Sequence, residues 1–128
     1  MPMRVLIVDD DKEFVNLLKL FISKDKELKV IGEAYTGASA LEILKNEFVD
    51  ILLLELALSD IDGLELLKTI KELDCIKPEA FILSAVSNNA IIRDSLRLGA
   101  AAYYVKPFGL DKTFEHILYY MKLHFKKR

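Results

Sequence analysis

Polar and charged side chains follow four of the short apolar runs in this sequence, at the point where each run ends. Acidic residues come after the first and third runs, a serine after the fourth and a lysine after the fifth. In chain order they are Asp9, Asp10, Asp11, Glu55, Ser84 and Lys106. Oxygen ligands with no histidine or cysteine beside them favour a hard cation such as Mg²⁺. A lysine and a hydroxyl could then hold a phosphoryl group next to that cation.

The acidic residues would repel one another if they met without a positive charge among them. Lys106 could supply that charge, and we expect it to form an ion pair with Glu55. The three aspartates by themselves have a second explanation, since Asp10 or Asp11 could cap the helix that follows. Because the other run ends also carry polar groups, the whole set favours a binding site over separate caps and turns.

Five short apolar runs predict five strands, since continuous apolar stretches of this length are typical of strands buried on both faces. The runs are residues 5–8, 28–31 with Ala34, 51–54, 80–83 and 102–105. The second run is less hydrophobic than the others, which suits a strand at the edge of a sheet.

Segments with the period of an α-helix follow the five runs. In the first, Phe14, Leu17, Leu18 and Phe21 recur at the spacing that lines one helix face. Gly99 predicts a left-handed end to the fourth helix, and the fifth is predicted over about 111–125. Five strand–helix units imply a doubly wound α/β fold, with a parallel sheet and helices on both faces, in one domain over residues 1–128. Ligands of such folds bind beyond the carboxyl ends of the strands, where the polar set falls.

The composition excludes several classes of protein. With 52% hydrophobic and 30% charged residues the chain is globular, and a net charge of −2 gives no basic field for direct nucleic-acid binding. No apolar run approaches the roughly 20 residues of a membrane span, and we expect no secretory leader, because the opening residues lack the basic and apolar regions of a signal peptide. With a single cysteine, Cys75, we expect a cytoplasmic protein. His116 and His124 are predicted on the surface of the last helix, whose end at 124–128 is basic.

Several short motifs, in order along the chain, resemble the receiver domain of two-component response regulators, including the single-domain chemotaxis type. They are Val-Leu-Ile-Val-Asp-Asp at 5–10, Asp-Gly at 62–63, Leu-Ser-Ala at 83–85, Gly-Ala at 99–100 and Tyr-Tyr-Val-Lys-Pro-Phe at 103–108. The resemblance implies a flavodoxin-like sheet with strand order 2-1-3-4-5. It also implies a signalling role, with a histidine kinase or phosphotransfer protein and an effector domain or partner protein as partners.

The resemblance assigns roles to the polar set. Asp9 and Asp10 match the acidic pair that holds Mg²⁺, Glu55 stands at the phosphoacceptor position, and the backbone carbonyl of Ala57 falls where the family has a metal ligand. It makes Mg²⁺ the expected cofactor.

Three further positions match residues that respond to the phosphoryl group. Ser84 matches the hydroxyl residue that contacts it, and Lys106 matches the lysine of the family. Tyr103 matches the aromatic switch position, although ordinary packing explains it equally well because Tyr104 lies beside it.

Glu55 departs from the family, in which the acceptor is an aspartate. One added methylene moves the carboxylate outward by roughly 1.5 Å, and phosphoryl transfer needs a closely placed nucleophile. Glu55 is a natural substitution, a partial mimic of phosphoaspartate, or an engineered change. Leu58-Ser59, where Met-Pro is common, favours natural divergence and a phosphorylation-independent interaction module. Asp60 or Asp62 could be a substitute acceptor.

Two other classes share parts of the pattern. Asp9-x-Asp11 partly resembles the haloacid-dehalogenase phosphohydrolases, which would make the protein a Mg²⁺-dependent enzyme. That motif expects Thr or Val at the place of Glu13, and the chain is too short for a cap domain. A flavodoxin-type flavin carrier shares the topology, but three aspartates after the first strand would repel the flavin phosphate.

Overall fold

The computed structural model of the protein describes residues 1–125. Within them, five strands alternate with five helices, as the apolar runs predict. The elements are β1 (Met3–Val8), α1 (Lys12–Ile22), β2 (Leu28–Ala34), α2 (Gly37–Asn46), β3 (Ile51–Leu54), α3 (Gly63–Glu72), β4 (Glu79–Ser84), α4 (Asn89–Arg97), β5 (Ala102–Val105) and α5 (Leu110–Phe125). The basic residues at 126–128 lie outside the described residues.

The strands form a parallel sheet in the order β2-β1-β3-β4-β5, which confirms the doubly wound, flavodoxin-like prediction. All four residues of β3 are buried, as are nearly all those of β1 and β4, because helices cover both faces of these strands. β2 is an edge strand, as its weaker hydrophobicity predicts, and most of its residues are partly exposed. The other edge is β5, whose four residues are all at least partly exposed.

Successive residues of each inner strand pack into two separate apolar cores. Leu52 of β3 packs with Leu66 of α3 in the core beneath α2, α3 and α4. Its neighbour Leu53 packs with Leu18 of α1 and Ile117 of α5 in the core on the opposite face. None of the helices described within residues 1–125 is long and apolar enough to cross a membrane.

The buried face of α1 differs by about one residue from the predicted one. Val15, Leu18 and Ile22 are buried, whereas Leu17 is 49% exposed. The prediction was wrong for Leu17 because the predicted apolar face is rotated around the helix axis relative to the face that packs on the sheet. Both faces have helical spacing, so periodicity alone does not separate them.

The caps of the helices set the exact points at which the chain turns at the sheet edge. Asp11, one of two predicted candidates, caps α1, where its Oδ1 accepts hydrogen bonds from the backbone N–H groups of Glu13 and Phe14. Gly99 has φ of 102° after α4, as predicted, a conformation that side chains with a Cβ disfavour. A Cβ on Gly63, at the start of α3, would lie 2.3 Å from the Cα of Leu56, so this close approach requires glycine.

Backbone hydrogen bonds continue the sheet one residue past three strand ends. The N–H of Glu55 donates to the carbonyl of Val8 at 2.9 Å, and the N–H of Lys106 donates to the carbonyl of Ser84 at 2.8 Å. Asp9, which follows Val8, is tied to β2 in the same way. These bonds fix the backbones of the polar residues at the carboxyl edge of the sheet, which is where the fold binds ligands.

Candidate functional site

Lys106 lies between two buried carboxylates at the carboxyl edge of the sheet. Its Nζ is 2.7 Å from Oδ2 of Asp9 and 3.2 Å from Oε1 of Glu55. The two carboxylate side chains are 4% and 5% exposed, against 18% for the lysine. The expected pairing of Lys106 with Glu55 is therefore present, and Asp9 shares the same ammonium.

The Glu55 carboxylate accepts hydrogen bonds from several donors besides Lys106. Oε2 accepts from the backbone N–H of Ala57 and Oε1 from that of Ala85, both at 3.2 Å. Burial by itself raises the pKa of Glu55, but the hydroxyl of Ser84, these N–H groups and the charge of Lys106 together hold the pKa below its ordinary value. The group is therefore an ionised carboxylate surrounded by donors.

Burial acts in opposite directions on the pKa values of Asp9 and Lys106. Burial raises the pKa of Asp9, and the charge of Glu55 adds to this, while hydrogen bonds from Lys106 and the N–H of Asp11 oppose it only in part. Burial alone would lower the pKa of Lys106, but its two carboxylate partners raise it above the ordinary value. The two carboxylates thus favour the charged form of Lys106.

Ser84 and Tyr103 meet at the loop between β4 and α4. Ser84 is fully buried, and its Oγ accepts a hydrogen bond from the N–H of Val86 at 3.1 Å. The hydroxyl of Tyr103 donates to the carbonyl of Val86 at 2.5 Å, and burial raises the pKa of this phenol. Tyr104 packs into the other core instead, with its hydroxyl against Nδ1 of His116. Of the two tyrosines, it is Tyr103 that contacts the loop beside Ser84.

Asp10 and Ala57, the remaining predicted site residues, are both exposed. Across residues 1–125 the structure brings together no group of three or more His, Cys, Asp or Glu side chains that could hold a metal ion. Asp9 and Glu55 offer the oxygen ligands that Mg²⁺ prefers, but both already bind Lys106. Mg²⁺ would therefore have to compete with the Lys106 ammonium for these two carboxylates.

The two loop aspartates that were candidate substitute acceptors bind helix N-termini. Oδ1 of Asp60 accepts from the N–H of Gly37 and Oδ2 from that of Ala38, at 2.9 and 3.0 Å, and these bonds lower the pKa of Asp60. Asp62 accepts from the N–H of Leu64 at 2.8 Å as the cap of α3. Their positions are explained by capping, so the acceptor interpretation is not supported for either residue.

Phe14 belongs to the site but was assigned only to the face of α1. The Nζ of Lys106 lies 4.1 Å from the centroid of its ring. The N–H donors of Ala57 and Ala85 were also missed, because backbone groups leave no trace in residue type. The proximity of Phe14 to Asp9 in the chain is the one signal that could have suggested it.

The histidines lie away from the site. His116 is exposed, as predicted, and contacts Tyr104. His124 is only partly exposed and stacks on Tyr120 with ring centroids 4.1 Å apart, so it is less of a surface residue than expected.

The family model of the response regulator receiver domain matches residues 5–118. The chain belongs to this family. Receiver domains of two-component systems are in general signalling modules rather than enzymes, and they bind Mg²⁺ at their phosphorylation site. They interact with histidine kinases or phosphotransfer proteins and with effectors. The match favours the receiver interpretation over the phosphohydrolase and flavin-carrier alternatives.

Solved structures agree with this assignment. A CheY-like response regulator receiver domain protein from Methanospirillum hungatei is 26% identical, with full coverage of both chains and a TM-score of 0.90. A CheX–CheY–BeF3–Mg²⁺ complex from Borrelia burgdorferi contains a chain 28% identical, with 96% of this chain and 90% of that chain covered and a TM-score of 0.85. The receiver domain of the NarL regulator from Mycobacterium tuberculosis is 26% identical, with 94% and 97% covered and a TM-score of 0.85.

Proposed function

We propose that residues 1–128 form an atypical receiver domain that acts through protein–protein contacts without being phosphorylated at Glu55. One observation carries the proposal. The carboxylate at the acceptor position is already bound by Lys106, by the N–H groups of Ala57 and Ala85, and by the Ser84 hydroxyl.

Phosphoryl transfer needs a nucleophile in line with the donor and positive charge on the transferred group. At this site the positive charge of Lys106 and the hydroxyl of Ser84 are engaged by the nucleophile itself. An incoming phosphoryl group would have to displace these contacts before it found its own partners. Slow or absent transfer to Glu55 is the expected result.

Glu55 resembles a phosphorylated acceptor in only part of its chemistry. It carries one negative charge and two acceptor oxygens, whereas a phosphoryl group adds about 1.5 to 2 charges and three oxygens. Its contact with Ser84 nevertheless reaches the β4–α4 loop, where Val86 binds both Ser84 and Tyr103. We infer that Glu55 holds this loop in one arrangement, which an effector domain, a kinase or another partner protein recognises without a phosphorylation step.

Binding of Mg²⁺ is expected to be weak in this protein. A cation that used Asp9 and Glu55 together would have to displace Lys106, whose ammonium is within 3.2 Å of both carboxylates. The proposal accordingly assigns the charge balance of the site to the lysine.

The test is incubation of the protein with acetyl phosphate and Mg²⁺, followed by intact-mass measurement. We expect no added phosphoryl group on the parent and one on the Glu55→Asp variant, because shortening the side chain frees the donors around it. Positional errors of about an ångström can change such rates on the order of a hundredfold. A Glu55→Gln variant is the matched control, since it keeps the length of the side chain without a nucleophilic carboxylate.

Two outcomes would contradict the proposal. A parent that gains one phosphoryl group at Glu55 as readily as the Asp variant would be an ordinary phospho-accepting receiver in which Glu replaces Asp. Steady release of phosphate from a generic phosphate ester, lost in an Asp9→Asn variant, would instead support the Mg²⁺-dependent phosphohydrolase.

A further inference from the structure

Lys106 has one more contact than its two ion pairs. A lysine ammonium has three N–H donors. Two of its contacts are with Asp9 and Glu55, and the face of the Phe14 ring lies 4.1 Å from the same nitrogen. A cation at this distance from a ring centroid is attracted by the negative face of the π-system. Two carboxylates and one ring thus surround the ammonium.

One backbone contact and one ring contact fix the position of Phe14. Its backbone N–H donates to the Asp11 cap at 3.2 Å, which fixes the first turn of α1. The ring packs edge to face with Phe108, at a centroid distance of 6.1 Å. Phe108 follows Lys106 by two residues, so the Phe14 ring packs against the chain segment that carries Lys106.

We propose that Phe14 is a positioning residue that holds the Lys106 ammonium in the bridge between Asp9 and Glu55. The inference deepens the proposed function, and its importance for signalling rests on that function. With its third side against the ring, the ammonium is kept from turning towards water or towards an incoming anion. A leucine would fill similar space but would offer no negative face. The attraction is largest where the cation is poorly hydrated, and the Lys106 side chain is only 18% exposed.

The experiment measures hydrogen exchange of the Lys106 ammonium by ¹⁵N NMR in the full chain. Phe14→Leu removes the π-face and keeps apolar bulk, and we expect about a tenfold faster exchange, the size of effect that a desolvated cation–π contact can produce. Phe14→Tyr keeps the π-face and should restore the parent rate. Phe21→Leu is the matched control on the same helix, since Phe21 packs on Phe114 and not on Lys106.

Exchange in Phe14→Leu at the parent rate would overturn the proposal, and so would an equal increase in Phe21→Leu, which would indicate general loosening of α1. If Phe14→Leu does not fold, the parent alone decides: the Lys106 ε-methylene protons should show an upfield ring-current shift, and its absence overturns the contact. Phosphoryl acceptance does not enter this measurement. A parent that is phosphorylated by acetyl phosphate but shows ring-dependent protection would overturn the proposed function and leave the role of Phe14 intact.

Discussion

Charged side chains connect β1 and the segment around β3 at both ends of these strands, but they are exposed at one end and buried at the other. We call the two ends the amino edge and the carboxyl edge of the sheet. At the amino edge, the backbone N–H of Arg4 donates to Asp50 at 2.8 Å, and the Arg4 guanidinium pairs with Glu47 at 3.0 Å. The two side chains of that ion pair are 33% and 53% exposed. At the carboxyl edge, Asp9 and Glu55 are almost completely buried around one lysine.

The comparison shows that the charged groups with a high desolvation cost lie at the carboxyl edge. An exposed ion pair contributes little because water screens it, whereas a buried carboxylate that loses its partner is strongly destabilising. The amino edge therefore needs its ion pair only slightly. The carboxyl edge depends on Lys106, because two buried carboxylates share its ammonium.

Removing Lys106 should have the largest effect on stability. We expect Lys106→Ala to lower the free energy of unfolding by about 3–5 kcal/mol, since two buried carboxylates lose their common partner. The variant should regain stability on addition of Mg²⁺ to a greater extent than the parent, because the cation no longer competes with an ammonium. Urea unfolding with and without Mg²⁺ measures both effects.

Lys19→Ala provides the control for this prediction. Lys19 pairs with Glu33 at 2.8 Å, but the two side chains are 42% and 31% exposed. The Lys19→Ala variant should lose much less stability than Lys106→Ala, because both charges of its ion pair are solvated, and added Mg²⁺ should not restore that stability. Equal Mg²⁺ responses in the parent and in Lys106→Ala would argue against the charge balance assigned to Lys106.

The two acids of the site should respond oppositely to pH. The pKa of Glu55 is lowered on folding, so its ionised form adds stability above the pKa of the unfolded state, and that stability is lost as the pH falls through the folded pKa. The pKa of Asp9 is raised, so its contribution is present below the unfolded pKa and is lost as the pH rises through the folded pKa. At a pH where both carboxyls are ionised, folding is therefore favoured by the charge of Glu55 and opposed by the charge of Asp9.

Unfolding of Glu55→Gln and Asp9→Asn between pH 7 and pH 3 tests this difference. At pH 7 we expect Glu55→Gln to be the more destabilising, by about 1–3 kcal/mol, because several donors lose a charged acceptor. The gap between the two variants should narrow as the pH falls through the lowered folded pKa of Glu55, because the parent then loses the stabilising charge that Glu55→Gln lacks. If Asp9→Asn is the more destabilising at pH 7, the assignment of the two directions is wrong.

The continuous apolar runs predicted the buried parallel strands and placed Asp9, Glu55, Ser84 and Lys106 at one end of the sheet. The strand order was predicted from the resemblance to receiver domains. The sequence could not predict which acids meet. Asp9 is buried beside Lys106, whereas Asp10, the next residue, is exposed. The contact between Phe14 and Lys106 depends on the rotation of α1 about its own axis. The exposure of Leu17, which was predicted to be buried, shows that helical periodicity does not determine this rotation to within one residue.

A smaller effect is expected for the hydroxyl of Tyr103. Tyr103→Phe removes its hydrogen bond to the carbonyl of Val86 and should lower the free energy of unfolding by about 0.5–1.5 kcal/mol. Hydrogen exchange of the β4–α4 loop should rise at the same time, because this bond ties the loop to β5. Tyr104→Phe is the control, since that hydroxyl faces His116 on the other side of the sheet. Unchanged hydrogen exchange of the loop in Tyr103→Phe would show that the Tyr103 hydroxyl does not restrain the β4–α4 loop.

The smallest effect should be found at the amino edge. Glu47→Ala removes the ion pair with Arg4, but the guanidinium keeps its hydrogen bond to the carbonyl of Phe48 at 2.7 Å, and the backbone of Arg4 keeps Asp50. Because both charges are substantially exposed, we expect a change in the free energy of unfolding of less than about 0.5 kcal/mol, which disappears at high salt. Thermal unfolding at low and high ionic strength measures it. A loss comparable to that of Lys106→Ala would mean that charge is as important at this edge as at the other, and the contrast between the two edges would fail.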